Sequence, residues 1–159
     1  MNYPQDIADA WKDHFQEHNV KYQFDEQNGV FLIGMQLSDC KFPTATVLIV
    51  LREQFYTVLT VLPLVCEEAK RKEMADLLNR INSIMAIGNF EMTMDQGQIR
   101  YRYAVDTAEF IPGDETMTHS IAFGISQIKM WADPITAILF GLTDAEKAFA
   151  MKAPQNSKQ

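Results

Sequence analysis

Thr46-Val47-Leu48-Ile49-Val50-Leu51-Arg52-Glu53-Gln54-Phe55-Tyr56-Thr57-Val58-Leu59-Thr60-Val61-Leu62 is the stretch that decides the fold class. Two runs rich in β-branched and aromatic residues flank Arg52-Glu53-Gln54. They read as strands over residues 46–51 and 56–62, and a turn this short makes the pair antiparallel. The first run is apolar on both faces, with Val47, Ile49 and Leu51 on one and Leu48 and Val50 on the other. Such strands call for cover on both sides, and one layer of helices supplies only one.

Toward the N-terminus, Pro43 ends a short loop, and residues 30–37 supply another strand. Asn28-Gly29 ahead of it signals a hairpin, because both residues tolerate positive φ. Val20, Tyr22 and Phe24 alternate with Lys21, Gln23 and Asp25, the period of a half-buried strand. Pro4 and Asp6 open a helix over residues 6–18, with Asp6 as N-cap and Ile7, Trp11 and Phe15 on one face.

Toward the C-terminus, Met74, Leu77, Leu78, Ile81, Ile84 and Met85 keep helical spacing, which predicts a helix over residues 67–85 that Gly88 ends. A hairpin follows. With its turn centred on Gln96-Gly97, Met92 faces Tyr101 on the apolar side and Glu91 faces Arg102 on the polar side. After Pro112-Gly113, Asp114 or Thr116 caps a long helix reaching about Trp131. Asp133-Pro134 kinks or restarts it through Phe140, and Gly141 closes it. Thr143-Asp144-Ala145-Glu146 reads as a capping box for a last short helix. The order is helix, four strands, helix, two strands, helices. That order implies an α+β, two-layer domain over residues 1–153, an antiparallel sheet packed against helices, with a polar tail at 154–159.

Three of these stretches are similar to a known family. Leu77-Leu78-Asn79-Arg80-Ile81-Asn82, Gly88-Asn89-Phe90-Glu91-Met92 and Ile99-Arg100-Tyr101-Arg102-Tyr103 resemble the YbjN family of bacterial proteins, and so does Ile128-Lys129-Met130-Trp131-Ala132-Asp133-Pro134-Ile135. The resemblance implies a fold similar to type III secretion chaperones, which are small, acidic, usually homodimeric proteins that bind an extended client segment. It also implies a regulatory role, and it brings no catalytic residues to carry over.

Composition narrows the function classes. The 159 residues are 47% hydrophobic and 22% charged, with a formal net charge of −7. Phosphate binding needs a basic surface, so no nucleic-acid partner is expected. The only dense basic run, Lys70-Arg71-Lys72, sits among Glu67, Glu68, Glu73 and Asp76 and reads as a solvated mixed face. The longest aliphatic run, Val47 to Leu51, is too short to span a bilayer. The first residues lack a basic and then apolar leader, and Cys40 and Cys66 do not make a disulfide framework. A cytoplasmic protein is expected.

The sharpest chemical motif is His14-Phe15-Gln16-Glu17-His18, an H-x-x-E-H pattern. Histidines at i and i+4 share a helix face and could hold zinc with Glu17 as base, and Glu91 is a candidate third ligand. Against this, the helix ends at Asn19 and Glu91 has Arg102 as a partner. His119 lacks a serine or cysteine partner, Ser120 and Ser126 read as helix-surface residues, and Cys66 precedes a helix whose N-terminal dipole could lower its pKa. The carboxylate pairs Asp106 with Glu109 and Asp114 with Glu115 read as solvated charge. No Gly-rich nucleotide loop occurs. The nine methionines suit an adaptable binding surface, although each is more readily placed in the core. We therefore expect no catalytic residue, no cofactor and no metal. The expected function is a non-catalytic, chaperone-like or regulatory protein-binding homodimer. The alternatives are a small-molecule or lipid-binding domain with an apolar pocket and, last, a zinc hydrolase on His14, Glu17 and His18. A charge placed at Val50 or Val58 should disturb either the core or a subunit interface.

Overall fold

A computed structural model describes residues 3–152; the expected polar tail at 154–159 lies outside the described residues. Six strands form one sheet in the order β1-β2-β3-β4-β6-β5, antiparallel throughout. They are β1 (Gln23–Asp25), β2 (Val30–Gln36), β3 (Thr44–Leu51), β4 (Phe55–Val65), β5 (Asn89–Met92) and β6 (Gln98–Asp106). The helices are α1 (Gln5–Glu17), α2 (Arg71–Asn82), α3 (Asp114–Leu139) and α4 (Ala145–Ala150). The domain is α+β in two layers, as its sequence order implies.

Among the described residues, all four helices lie on one face of the sheet. At one end, Trp11 and Phe15 of α1 pack with Phe31, Val47, Ile49, Tyr56 and Val58. At the other, Leu77 and Ile81 of α2 pack with Leu62, Phe90, Ile99 and Tyr101 beneath Ile128, Trp131, Ile135 and Ile138 of α3. α3 crosses both clusters, Met117 entering the first. Each fully buried Leu, Ile, Val or Phe is worth roughly 1.5–3 kcal/mol, so this face carries the bulk of the stability.

Several local expectations shift. α1 begins a residue early, with Pro4 at the N-cap, and the Asp6 carboxylate accepts from the Ile7 N–H. β1 keeps only three residues; Val20 and Tyr22 approach it outside the ladder. The stretch expected as one helix over 67–85 is a 3₁₀ turn at Glu68–Lys70 followed by α2. α2 stops at Asn82, whose side chain is claimed elsewhere: it donates to the Phe90 carbonyl and accepts from the Phe90 N–H, both at 2.8 Å. Gly88 does not end α2. At φ +64 it lies against Tyr101, where a Cβ would fall 2.1 Å from the hydroxyl oxygen, and that hydroxyl donates to the Ile87 carbonyl at 2.6 Å.

The β5–β6 register differs from expectation by two residues, with Met92 opposite Ile99, Phe90 opposite Tyr101 and Glu91 opposite Arg100. The cause is the turn. Thr93 N–H donates to the Gln98 carbonyl and Gly97 N–H to the Thr93 carbonyl, leaving Met94 to Gly97 as a four-residue loop. A shift of two preserves side-chain parity, so the apolar face stays apolar. Pro134 does not restart α3, which continues through it to Leu139; flanking Ile135 and Ile138 are buried and hold the turn that lacks a hydrogen bond. α4 is capped by Asp144, not Thr143, through the Lys147 N–H. Lys70 and Arg71 are not merely solvated: Lys70 donates to the last α3 carbonyl, Leu139, and Arg71 to the carbonyls of Cys66 and Met94.

Candidate functional site

Two features are placed where a ligand or partner could reach them. The first is the helix-free face of the sheet. Strand alternation sends Val30, Leu32, Leu48, Val50, Leu59 and Val61 to it. The register lines them in rows across the central strands: Val30 by Val50 by Thr57, then Leu32 by Leu48 by Leu59, then Thr46 by Val61. Leu32 is 40% exposed, and Leu48, Val50, Leu59 and Val61 are half-buried by their neighbours alone. On β6 the same face turns polar. Arg100 and Arg102 both reach Glu91, which therefore serves two guanidinium groups instead of the one expected. An aliphatic centre with an ion-paired flank results.

The second is a groove of about 490 Å³ between α1, α3 and β2, lined by Val20, Met35, Ile121, Ala122 and Ile125 with His14 and His18 at its edge. The two histidines converge on the first residue of α3: His14 Nδ1 is 2.6 Å and His18 Nε2 2.8 Å from the same oxygen, Asp114 Oδ1. Helical spacing of four puts both rings on one face, 4.6 Å between centroids. His14 is 6% exposed, wedged edge-on against Trp11, whereas His18 and Asp114 are 46% and 52% exposed. Hydrogen bonds from His18 and then His14 hold the Asp114 carboxyl below the usual carboxylate range. Asp114 is thus not the helix cap; Gly113 occupies that position.

The sequence motif is corrected in its partners. Glu17 is exposed and stands outside the cluster that His14 and His18 form with Asp114. Glu91 is held by Arg100 on the opposite face of the sheet. His119 is exposed. Burial pushes the Cys66 thiol above its ordinary value, against the opposing charges of Arg71 and Lys70. Ser126 is exposed as expected, but Ser120 is fully buried, donating to the Met117 carbonyl and accepting from the Tyr56 hydroxyl. Asp106 accepts from the Ala108 N–H in a turn, while Glu109 and Glu115 are exposed. The methionines divide: Met74 and Met117 are core, Met35, Met85 and Met92 half-buried, Met94, Met130 and Met151 exposed. Asp114 is the residue that sequence reasoning missed. Its only signal was a carboxylate at a helix start, which a capping role explains equally well.

No helix in the described residues is long and apolar enough to cross a membrane. A search of curated proteins by sequence returns no match. Among solved structures, YbjN from E. coli, "a putative transcription regulator", superposes with a TM-score of 0.58 at 12% identity, covering 84% of this chain and 92% of that one. The likeness extends to the fold. The model of the YbjN family, described as "Putative bacterial sensory transduction regulator", matches residues 8–137. With most of its length accounted for by that match, the chain belongs to the YbjN family.

Proposed function

We propose that the protein is a non-catalytic regulatory module that acts by binding protein, as a homodimer joined through the helix-free face of its sheet. The observation carrying this reading is the aliphatic block of Leu32, Leu48, Val50, Leu59 and Val61 on a sheet whose helices all lie on the other side. Burying that block against a second copy removes it from water. A twofold axis would present the same rows to each other. The Arg100–Glu91–Arg102 group borders the patch and suits the polar rim of such an interface. A chaperone-like, cytoplasmic role with an extended client segment is the corresponding biological setting, supported by the acidic balance and the regulator description of the family.

Sedimentation equilibrium of the full chain tests it. The expected result is a dimer that Leu48→Glu and Leu59→Glu convert to a monomer with an unchanged circular dichroism spectrum. A wild-type chain that stays monomeric at high concentration, or variants that keep the dimer mass, would overturn the reading. The groove beside His14 and His18 favours a second reading, a small apolar ligand held between α1 and α3. An organic mass retained in native mass spectrometry would support it.

A further inference from the structure

Beyond that reading, we propose that His14, His18 and Asp114 bind one divalent transition-metal ion, zinc foremost, at the mouth of the groove between α1 and α3. Two imidazole nitrogens and a carboxylate oxygen are the borderline donor set that such ions prefer, and calcium or magnesium would require more oxygens. The three donor atoms lie within 4.8 Å of one another. Around a tetrahedral ion with bonds of about 2.0–2.1 Å, ligand atoms stand roughly 3.3 Å apart. The present His14–Asp114 and His18–Asp114 separations of 2.6 and 2.8 Å therefore need to open by about 0.7 and about 0.5 Å.

That adjustment is accessible. Asp114 is the first residue of α3 and His18 follows the last residue of α1, so both sit at helix ends and both are half-exposed. His14 is the fixed member, buried against Trp11. In the metal-free arrangement Asp114 Oδ1 accepts from both rings, which places N–H on His14 Nδ1 and His18 Nε2. Binding moves each proton to the other ring nitrogen or releases it, and frees a lone pair toward the ion.

The surrounding charge favours a dication. The last turn of α1 and the first turn of α3 carry Glu17 and Glu115 but no lysine or arginine, and the one cationic side chain lining the groove is Lys129 of α3, fifteen residues along the helix from Asp114. Three protein ligands leave a fourth position for water or a ligand, and both histidines border the groove lined by Val20, Met35, Ile121 and Ile125. An occupied site would tie the end of α1 to the start of α3 across a hundred residues of sequence.

The test is isothermal titration of the chelator-stripped full chain with zinc chloride, with cobalt(II) absorption as a second probe. The expected result is one equivalent bound, weakened at least tenfold in His18→Ala and in Asp114→Asn. Binding unchanged in Glu17→Gln would show that the motif's glutamate is not a ligand. His14 is buried and its removal could unfold the chain, so the two exposed ligands are varied and their folding is checked by circular dichroism. Absence of stoichiometric binding, binding that both variants leave intact, or binding that Glu17→Gln abolishes would overturn the proposal. Dimer mass in His18→Ala, expected to be unchanged, separates failure here from failure of the sheet-face reading.

Discussion

Gly124 of α3 rests directly on Thr60 of β4: a Cβ at position 124 would lie 2.2 Å from Thr60 Oγ1 and 3.1 Å from its Cβ. The long helix thus touches the sheet through backbone, midway between the two halves of the core. Gly124→Ala gains about 1 kcal/mol of helix propensity but overpacks a stiff β-branched neighbour at about 1–3 kcal/mol. A net loss of about 1 kcal/mol is expected in urea denaturation. Adding Thr60→Ala should recover most of it, because the clashing oxygen is gone and Thr60 Oγ1 has no hydrogen-bond partner among the described residues to lose.

Val50 and Val58, eight residues apart, face opposite sides of the sheet. Val58 is in the helix-covered core, so Val58→Asp buries an unpaired charge and is expected to cost roughly 4 kcal/mol or more. Val50 is on the helix-free face, and Val50→Asp should leave the unfolding free energy of the isolated fold, read from urea denaturation, within about 1 kcal/mol. Equal destabilisation in both would show that the face of Val50 is core as well.

Asn82→Ala removes the two hydrogen bonds its side chain makes to Phe90, leaving the carbonyl only the longer contact from the Asn89 amide and the N–H without a side-chain acceptor. A loss of about 1–2 kcal/mol is expected, and hydrogen exchange should show the Phe90 amide losing protection before the amides of β3.

Burial pushes the phenols of Tyr56 and Tyr101 up to about 12. A neutral buried phenol contributes stability that is fully present below the ordinary tyrosine pKa of about 10 and lost as pH rises toward 12. Ultraviolet titration of tyrosinate should find two groups that ionise last or only with alkaline unfolding. Tyr56→Phe and Tyr101→Phe should each remove one of them.

The strands were legible because their apolar side chains follow a period of two, and the pair over residues 46–62 also announced the helix-free face. Turn geometry was not. A four-residue loop closed by Gly97 and Thr93 moved the hairpin register by two, which periodicity cannot detect because parity survives. α2 ended early because Asn82 left the helix surface to serve Phe90, a partner eight residues on that no local propensity names. His14 and His18 were recognisable as a pair from their spacing. Asp114 was not, since a hundred residues separate it from His14 and only the folded crossing of α1 and α3 joins them.

The Asn82 clamp also decides how the sheet can and cannot extend. It occupies the outward N–H and carbonyl of Phe90, the middle of edge strand β5, and the opposite edge, β1, offers only three residues. At the β5 border the groups a further strand would pair with first are therefore already taken, while at the other border β1 covers only Val30 to Leu32 of β2 and leaves residues 33–36 without a strand beside them. The clamp thus protects one border of a sheet with an exposed aliphatic face, and association through that face is steered to flat stacking and away from edge-to-edge propagation at β5.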